Sequence, residues 1–308
     1  MEEVKPEIIS TQELEEKKIP AKNDEYERSL TTTYRRKIWS KFIAAVKNYK
    51  LIQPNDRICV CISGGKDSMC MAECFKLLHK HSDFPFEVKY LVMNPGYNEI
   101  NLQVIKNNLK ILNSPATIIE TNIFEIANSR DHSPCYLCAK MRRGALYRIA
   151  KTELGCNKIA LGHHYDDVIE TILMNMLNAG SFQTMLPKLH SDNYEGMEVI
   201  RPLYYVREQD IIAWRNMNKL RFIQCACRFT ENCSVCDNGG GGSRRYETKQ
   251  LIKELKEMNP QVEQNIFKSA ENVILDKIIG YKKDGEFHSF LDTYDGFKRP
   301  SEREENKD

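Results

Sequence analysis

The sequence predicts an α/β fold: a parallel, twisted sheet with helices on both faces. Three observations predict it. The run "RICVCIS" (57–63) is apolar enough for a buried strand, and the "SMCMAECFKLLHK" after it carries apolar residues at helical spacing. From residue 57 such strand and helix patterns alternate, as in a parallel sheet with crossover helices. The polar segments that could carry chemistry (the glycine turn at 63–68, Asn94 and "GHHYDD") each follow a strand, which gathers them at one sheet edge.

In chain order, residues 1–28 are charged and poor in aromatics, and are expected to be an acidic extension without fixed structure. "TTTYRRKIWSKFIAAVKNYKL" is expected to form an amphipathic helix. Its apolar face carries Ile38, Trp39, Phe42, Ile43 and Val46, and its basic face Arg35, Arg36, Lys37, Lys41 and Lys47. That basic face suits either solvent or a nucleic acid. Then follow "RICVCIS" and its helix, "FEVKYLVMN", a helix over 98–112, "ATIIETN", a helix near Pro134, "KIALGHH", a helix over 167–179, "MEVIRPL" and a helix near 207–218. "NGGGG" (238–242) reads as a flexible joint. The expected organisation is an extension (1–28), a nucleotide-binding and catalytic domain (29–237), a joint with a helical segment (238–290) and a tail (291–308).

Composition excludes several classes. Hydrophobic residues make up 41% and charged residues 29% of the 308, the balance of a globular protein with a full core. The net charge of +2 does not mark a nucleic-acid binder as a whole, so any basic surface must be local. No apolar run approaches the roughly 20 residues of a membrane span. The acidic N-terminal stretch lacks a signal peptide's apolar segment, so a cytoplasmic location with no membrane contact is expected.

The turn "SGGKDS" (63–68) joins a strand to a helix, where backbone amides and the positive helix end hold anions. It is not a Walker A loop: position 60 would have to be glycine and is Val60, and Asp67 follows Lys66 where Ser or Thr is required. The amides of Gly64 and Gly65 and the hydroxyls of Ser63 and Ser68 can donate to phosphate oxygens. Lys66 adds a point charge, and Asp67 can hold Mg2+. In "GHHYDD", one aspartate is explained by capping the next helix. Asp166 and Asp167 together, with Gly162 and His163 at a strand end, suggest nucleotide or magnesium contact as well. His164 suits packing as well as function.

Eleven cysteines in a reducing compartment do not read as a disulfide framework. Cys59, Cys61, Cys70, Cys74 and Cys156 lie in apolar patterns and are expected in the core. Cys135, Cys138, Cys225, Cys227, Cys233 and Cys236 lie in polar, loop-like sequence. On a helix starting near Pro134, Cys135 and Cys138 share a face. A redox pair, half a zinc site, iron–sulfur ligation and plain packing all remain open readings of that pair.

"SGGKDS" in its strand–turn–helix setting resembles the pyrophosphate loop (PP-loop) of the ATP pyrophosphatase superfamily. With "CYLCAKMRRGALY", "ALGHHYDDVIET" and "VIRPLYYVREQDI" following in this order, the chain from about residue 35 to 280 resembles the tRNA 2-thiocytidine synthetase family. The resemblance implies cleavage of ATP between its α and β phosphates, adenylation of C2 of the cytidine at tRNA position 32, and replacement of oxygen by sulfur. It implies a 4Fe–4S cluster on three cysteines, Cys135, Cys138 and Cys225, which leaves one iron open to carry sulfur. It brings Gly162 and His163 to the ATP, lets Asp166 or Asp167 assist the chemistry, and places Met93 and Asn94 beside the adenine. Sulfide or a cysteine desulfurase would donate the sulfur, and the assembly would be a homodimer.

The chain departs from the family at its second cysteine pair: Cys225 and Cys227 are one residue closer than usual, and Cys233 and Cys236 follow. Cys227 could therefore replace Cys225 as third ligand, or the four could form a zinc knot. For RNA, the candidate surface is Arg142, Arg143, Arg148, Arg201 and Arg207, with the basic residues of the 35–47 helix. Arg142 is favoured, one helical turn beyond Cys138. Competing functions are a thiouridine synthetase, a PP-loop ligase or amidotransferase with structural zinc, and a zinc-stabilised RNA-binding protein. Thiouridine synthetases often carry an N-terminal zinc finger, and residues 1–58 contain no cysteine.

Overall fold

A computed structural model describes residues 8–9, 23–128, 134–223 and 244–294. The elements run β1 (Ile8–Ile9), α1 (Asn23–Thr31), a π-helical turn (Arg35–Trp39) leading into α2 (Ser40–Asn48), β2 (Arg57–Ile62), α3 (Lys66–His81), β3 (Glu87–Asn94), α4 (Glu99–Ile111), β4 (Thr117–Glu120), α5 (Ile123–Asn128) and α6 (Pro134–Arg148). They continue with β5 (Lys158–Ala160), α7 (Tyr165–Ala179), β6 (Lys188–His190), β7 (Glu198–Ile200), α8 (Glu208–Met217), α9 (Arg244–Met258), α10 (Val262–Ser269) and the hairpin β8 (Gly280–Lys283) and β9 (Glu286–Ser289).

The seven-stranded sheet has the order β1-β4-β3-β2-β5-β7-β6. The five inner strands are parallel, and β1 and β6 pair antiparallel at the edges. From β2 the chain winds outward through β3 and β4, then returns to lay β5 on the other side of β2. The winding direction therefore reverses between β2 and β5, and a crevice opens there at the strands' carboxyl ends.

Alternation along β2 serves two cores. Ile58, Val60 and Ile62 face a large core with Phe42, Met69, Phe75, Ile105, Ile169 and Trp214. Cys59 and Cys61 face a smaller one with Ile149, Ala150, Cys156 and Ile159, against Ala145 and Leu146 of α6. The predicted sheet with helices on both faces is thus present. The five cysteines expected in the core are buried there, Cys61 least at 8% exposure.

Several expectations are corrected. Residues 23–28 do not belong to a structureless extension but to α1. Its Leu30 is buried, and its Glu27 pairs with Lys76 at 3.4 Å and Lys80 at 2.6 Å. Its composition looks disordered because those acidic and basic groups satisfy one another inside the fold. α5, β6 and the β8–β9 hairpin lacked a sequence signal, being short segments of six, three and four residues per element. The expected tail opens with a helical turn, Leu291–Tyr294. The glycine joint at 238–242 lies outside the described residues.

Candidate active site at the switch point of the sheet

The SGGKDS turn follows β2 as the sequence predicts, and its backbone is demanding. Gly64 has φ +83°, and a Cβ there would lie 2.6 Å from Ile105 Cγ1 and 2.8 Å from Ile223 Cδ1. Only glycine combines that conformation with that space. Gly65 caps α3 with no side-chain bond to its first-turn amides, which remain for an anion. Ser68 is spent on the turn itself. Its hydroxyl donates to the Gly65 carbonyl at 2.9 Å and accepts from the Ser63 amide at 3.1 Å and the Ser63 hydroxyl at 3.2 Å. Tyr97 braces the loop from β3's side, its hydroxyl donating to the Ser63 carbonyl at 3.3 Å.

Beside this turn stands the segment after β5. A Cβ on Gly162 would lie 3.0 Å from the Ser68 nitrogen, so the two loops meet backbone to backbone. His164 caps α7: its Nδ1 accepts from the Asp167 amide at 3.4 Å, and its own amide donates to Asp167 Oδ2 at 3.0 Å. His163 carries a buried Nδ1 with no hydrogen-bond partner. Burial, seconded by Arg201 and Arg245 and opposed by Asp167, pushes its imidazole down to about 4, so it is neutral at physiological pH. Across the gap, Asp67 Oδ1 is also buried and without a hydrogen-bond partner.

These groups line one cavity of about 330 Å³, bounded by Cys61, Ser63, Asp67, Ser68, Leu91, Met93, Arg142, Leu146, Leu161, Gly162, His163 and Asp167. Such a volume holds a small organic ligand. It brings together Ser63, Asp67, Ser68, Met93, Arg142, Gly162, His163 and Asp167 from the sequence-based set. Gly64, Gly65 and Lys66 of that set lie outside the lining, as do two residues with other duties. Asn94 is not part of the lining: its Oδ1 accepts from the Gly96 and Tyr97 amides at 3.0 and 2.6 Å, and its amide nitrogen donates to Glu120. Asp166 binds Arg207 at 2.9 Å and accepts from the Glu208 amide at 2.7 Å, which caps α8.

α6 forms one wall. Cys138 is half-buried and lies one turn before Arg142. Burial raises the Tyr97 hydroxyl, with Arg142 lowering it and Cys138 raising it further. Of Cys135 the structure describes the helical backbone, and Cys225, Cys227, Cys233 and Cys236 lie outside the described residues. Among the described residues no cluster of three or more metal-binding side chains occurs.

The proposed RNA arginines separate. Arg142 faces the cavity. Arg207 is unavailable, held between Asp166 and Glu263 and lying 5.0 Å from the centre of the Tyr165 ring. Arg148 pairs with Glu153 at 3.2 Å, and Arg201 donates to the Leu186 carbonyl. Lys37 and Lys41 each stand 3.8 Å from Asp210.

Sequence reasoning missed Glu208, Lys249 and Arg245. Glu208 Oε1 binds Lys66 at 3.0 Å while its Oε2 takes Lys249. Arg245 binds Asp167 and Glu170, both at 3.0 Å. These partners lie far from the turn in sequence, so no local pattern announces them.

The profile of the PP-loop domain family matches residues 35–228. The tRNA-cytidine(32) 2-sulfurtransferase of Geotalea uraniireducens is 36% identical over 245 residues, covering 77% of this chain and 93% of that protein. The enzyme of the same name from Geobacter metallireducens is 34% identical over 241 residues, covering 77% and 90%. The chain belongs to the tRNA-cytidine(32) 2-sulfurtransferase family. The expected resemblance is therefore borne out. Among solved structures, the U34-tRNA thiolase NcsA of Methanococcus maripaludis, determined with its [4Fe-4S] cluster, has a TM-score of 0.59 at 21% identity. It covers 81% of this chain and 84% of its own, which establishes the shared fold. Among the described residues no helix is long and apolar enough to cross a membrane.

Proposed function

We propose that the chain thiolates tRNA, using ATP to activate C2 of the cytidine at position 32. The observation that carries this reading is the shared cavity: Ser63, Asp67 and Ser68 of the 63–68 turn, neutral His163 and Arg142 line it, and Arg142 sits one helical turn from Cys138.

ATP lies with its phosphates on the amides of Gly64 and Gly65 and the first turn of α3, with Lys66 and the Ser63 hydroxyl beside them. Met93 and Leu161 form apolar walls for the nucleoside. The cytosine O2 attacks the α-phosphorus, the bond to the β,γ-pyrophosphate breaks, and Arg142 faces the charge that develops. Because His163 is neutral, it can hydrogen-bond at Nδ1 without competing as a cation for the phosphates. Hydrosulfide, supplied as sulfide or released by thiol reduction of a desulfurase persulfide, then adds at C2 and loses its proton, and AMP leaves with the former base oxygen.

Two groups complete this site. The orphaned, buried Asp67 Oδ1 fits Mg2+, which prefers a carboxylate plus substrate phosphates. The half-buried Cys138, with Cys135 three positions earlier on the same helix, fits two ligand positions of a 4Fe–4S cluster, and Cys225 would be the third. When bound, the cluster supplies sulfur delivery; the residues above bind, orient and activate the base.

The test is anaerobic purification with iron, sulfide and zinc analysis, followed by AMP formation with tRNA and sulfide. About four irons per chain and AMP formation that requires both substrates are expected. Zinc alone after anaerobic reconstitution, with AMP formation that requires an amine donor, would move the chain to the ligase class.

A further inference from the structure

Carboxylates crowd the phosphate end of this site. Asp67, Asp166, Asp167, Glu170 and Glu208 all lie on the turn or on the helices that frame it. A nucleoside triphosphate with a charge near −4 would be repelled by that ring unless it were neutralised. The neutralising cations are specific. Arg207 takes Asp166 at 2.9 Å. Arg245 takes both Asp167 and Glu170 at 3.0 Å. Glu208 is shared by Lys66 at 3.0 Å and Lys249. Burial alone would raise the Glu208 carboxyl, but Lys249 and Lys66 outweigh it and bring it to about 2, so it is ionised throughout the physiological range.

Lys66 is thus both the loop's phosphate cation and one of two partners of Glu208. When phosphates draw Lys66 away, Glu208 needs its second partner or it faces the incoming anion uncompensated. That partner and Arg245 stand four residues apart on α9, on one helix face. α9 begins beyond residue 228, where the match to the PP-loop family ends.

We propose that Lys249 and Arg245 are positioning residues for the nucleotide, that together they neutralise Glu208, Asp167 and Glu170, and that Glu208 releases Lys66 to the β,γ-phosphates while keeping Lys249. The inference rests on the reading of the turn as an ATP site. α9 then acts as an electrostatic plate behind the PP-loop, supplied from outside the matched domain.

The experiment measures the affinity of the full-length, anaerobically purified chain for a non-hydrolysable ATP analogue with Mg2+, without tRNA. Lys249→Met is expected to weaken binding on the order of tenfold. Adding Glu208→Gln to the Lys249→Met chain is expected to restore affinity to within about threefold, because the uncompensated charge is then gone. Lys249→Arg, which keeps the charge, is expected to bind like the wild type, and it reports on the charge if the methionine variant does not fold. A purely structural role predicts instead that the two losses add and track the thermal midpoints. Additive losses, wild-type affinity in Lys249→Met, or lost affinity in Lys249→Arg would overturn the inference. Absence of analogue binding by the wild-type chain would overturn the ATP reading itself and this inference with it.

Discussion

Gly162 meets Ser68 across the switch point so closely that a Cβ on the glycine would lie 3.0 Å from the serine nitrogen and 3.1 Å from the Asp67 carbonyl carbon. The end of β5 and the start of α3 are therefore fixed against each other by backbone contact. That contact sets the distance between His163 on one loop and the amides of the 63–68 turn on the other. Gly162→Ala should push the loops apart by a few tenths of an ångström. We expect the KM for ATP to rise about tenfold while the melting temperature falls by only a few degrees, a cost of about 1 kcal/mol. Steady-state AMP formation and calorimetry check both.

Gly64→Ala is predicted to be worse for stability. It combines a positive φ with a 2.6 Å approach to Ile105. The expected loss is about 2–4 kcal/mol, measured by urea denaturation. Ile105→Ala in the same chain should recover less than it costs, because the conformational strain at residue 64 remains.

Asp67→Asn tests the metal reading. The orphaned Oδ1 becomes either a neutral oxygen, a weaker ligand without the carboxylate's charge, or an amide nitrogen, which does not bind a divalent cation. We expect AMP formation to fall on the order of a hundredfold or more, with partial recovery at raised Mg2+. The free fold should be little affected.

The depressed His163 imidazole predicts a pH dependence of stability. In the unfolded chain this group takes its proton near pH 6.5, and in the folded chain burial delays that to about 4. The unfolded state therefore binds more protons in between. Stability is fully present above pH 6.5 and is lost as pH falls toward 4, at up to about 1.4 kcal/mol per unit. His163→Asn should flatten this part of the profile relative to wild type. An unchanged slope would show that the histidine is more solvated than its surroundings indicate.

The sequence made the frame of this site legible, and physics explains where legibility stopped. SGGKDS and GHHYDD carry local signals: a glycine turn on a strand end, and a capped helix start. Their meeting followed from alternation alone, because parallel strands present their carboxyl ends together. The sequence did not show that Asp166 also anchors α8, because its partner, Arg207, lies 41 residues away. Nor did it show that the Asn94 side chain serves the bend after β3 through the Gly96 and Tyr97 amides. α1 was hidden by composition: its Glu27 is partnered by Lys76 and Lys80 of α3, contacts that no window of sequence contains.

The central claim is tested most directly by nucleoside analysis of tRNA. Unmodified tRNA is incubated anaerobically with the chain, ATP, Mg2+ and sulfide, then digested and examined by mass spectrometry. The account predicts 2-thiocytidine from position 32, formed by the wild-type chain and absent with Cys138→Ser, although that variant still binds the ATP analogue. Thiouridine in its place, no thiolated base at all, or full thiolation by Cys138→Ser would contradict it.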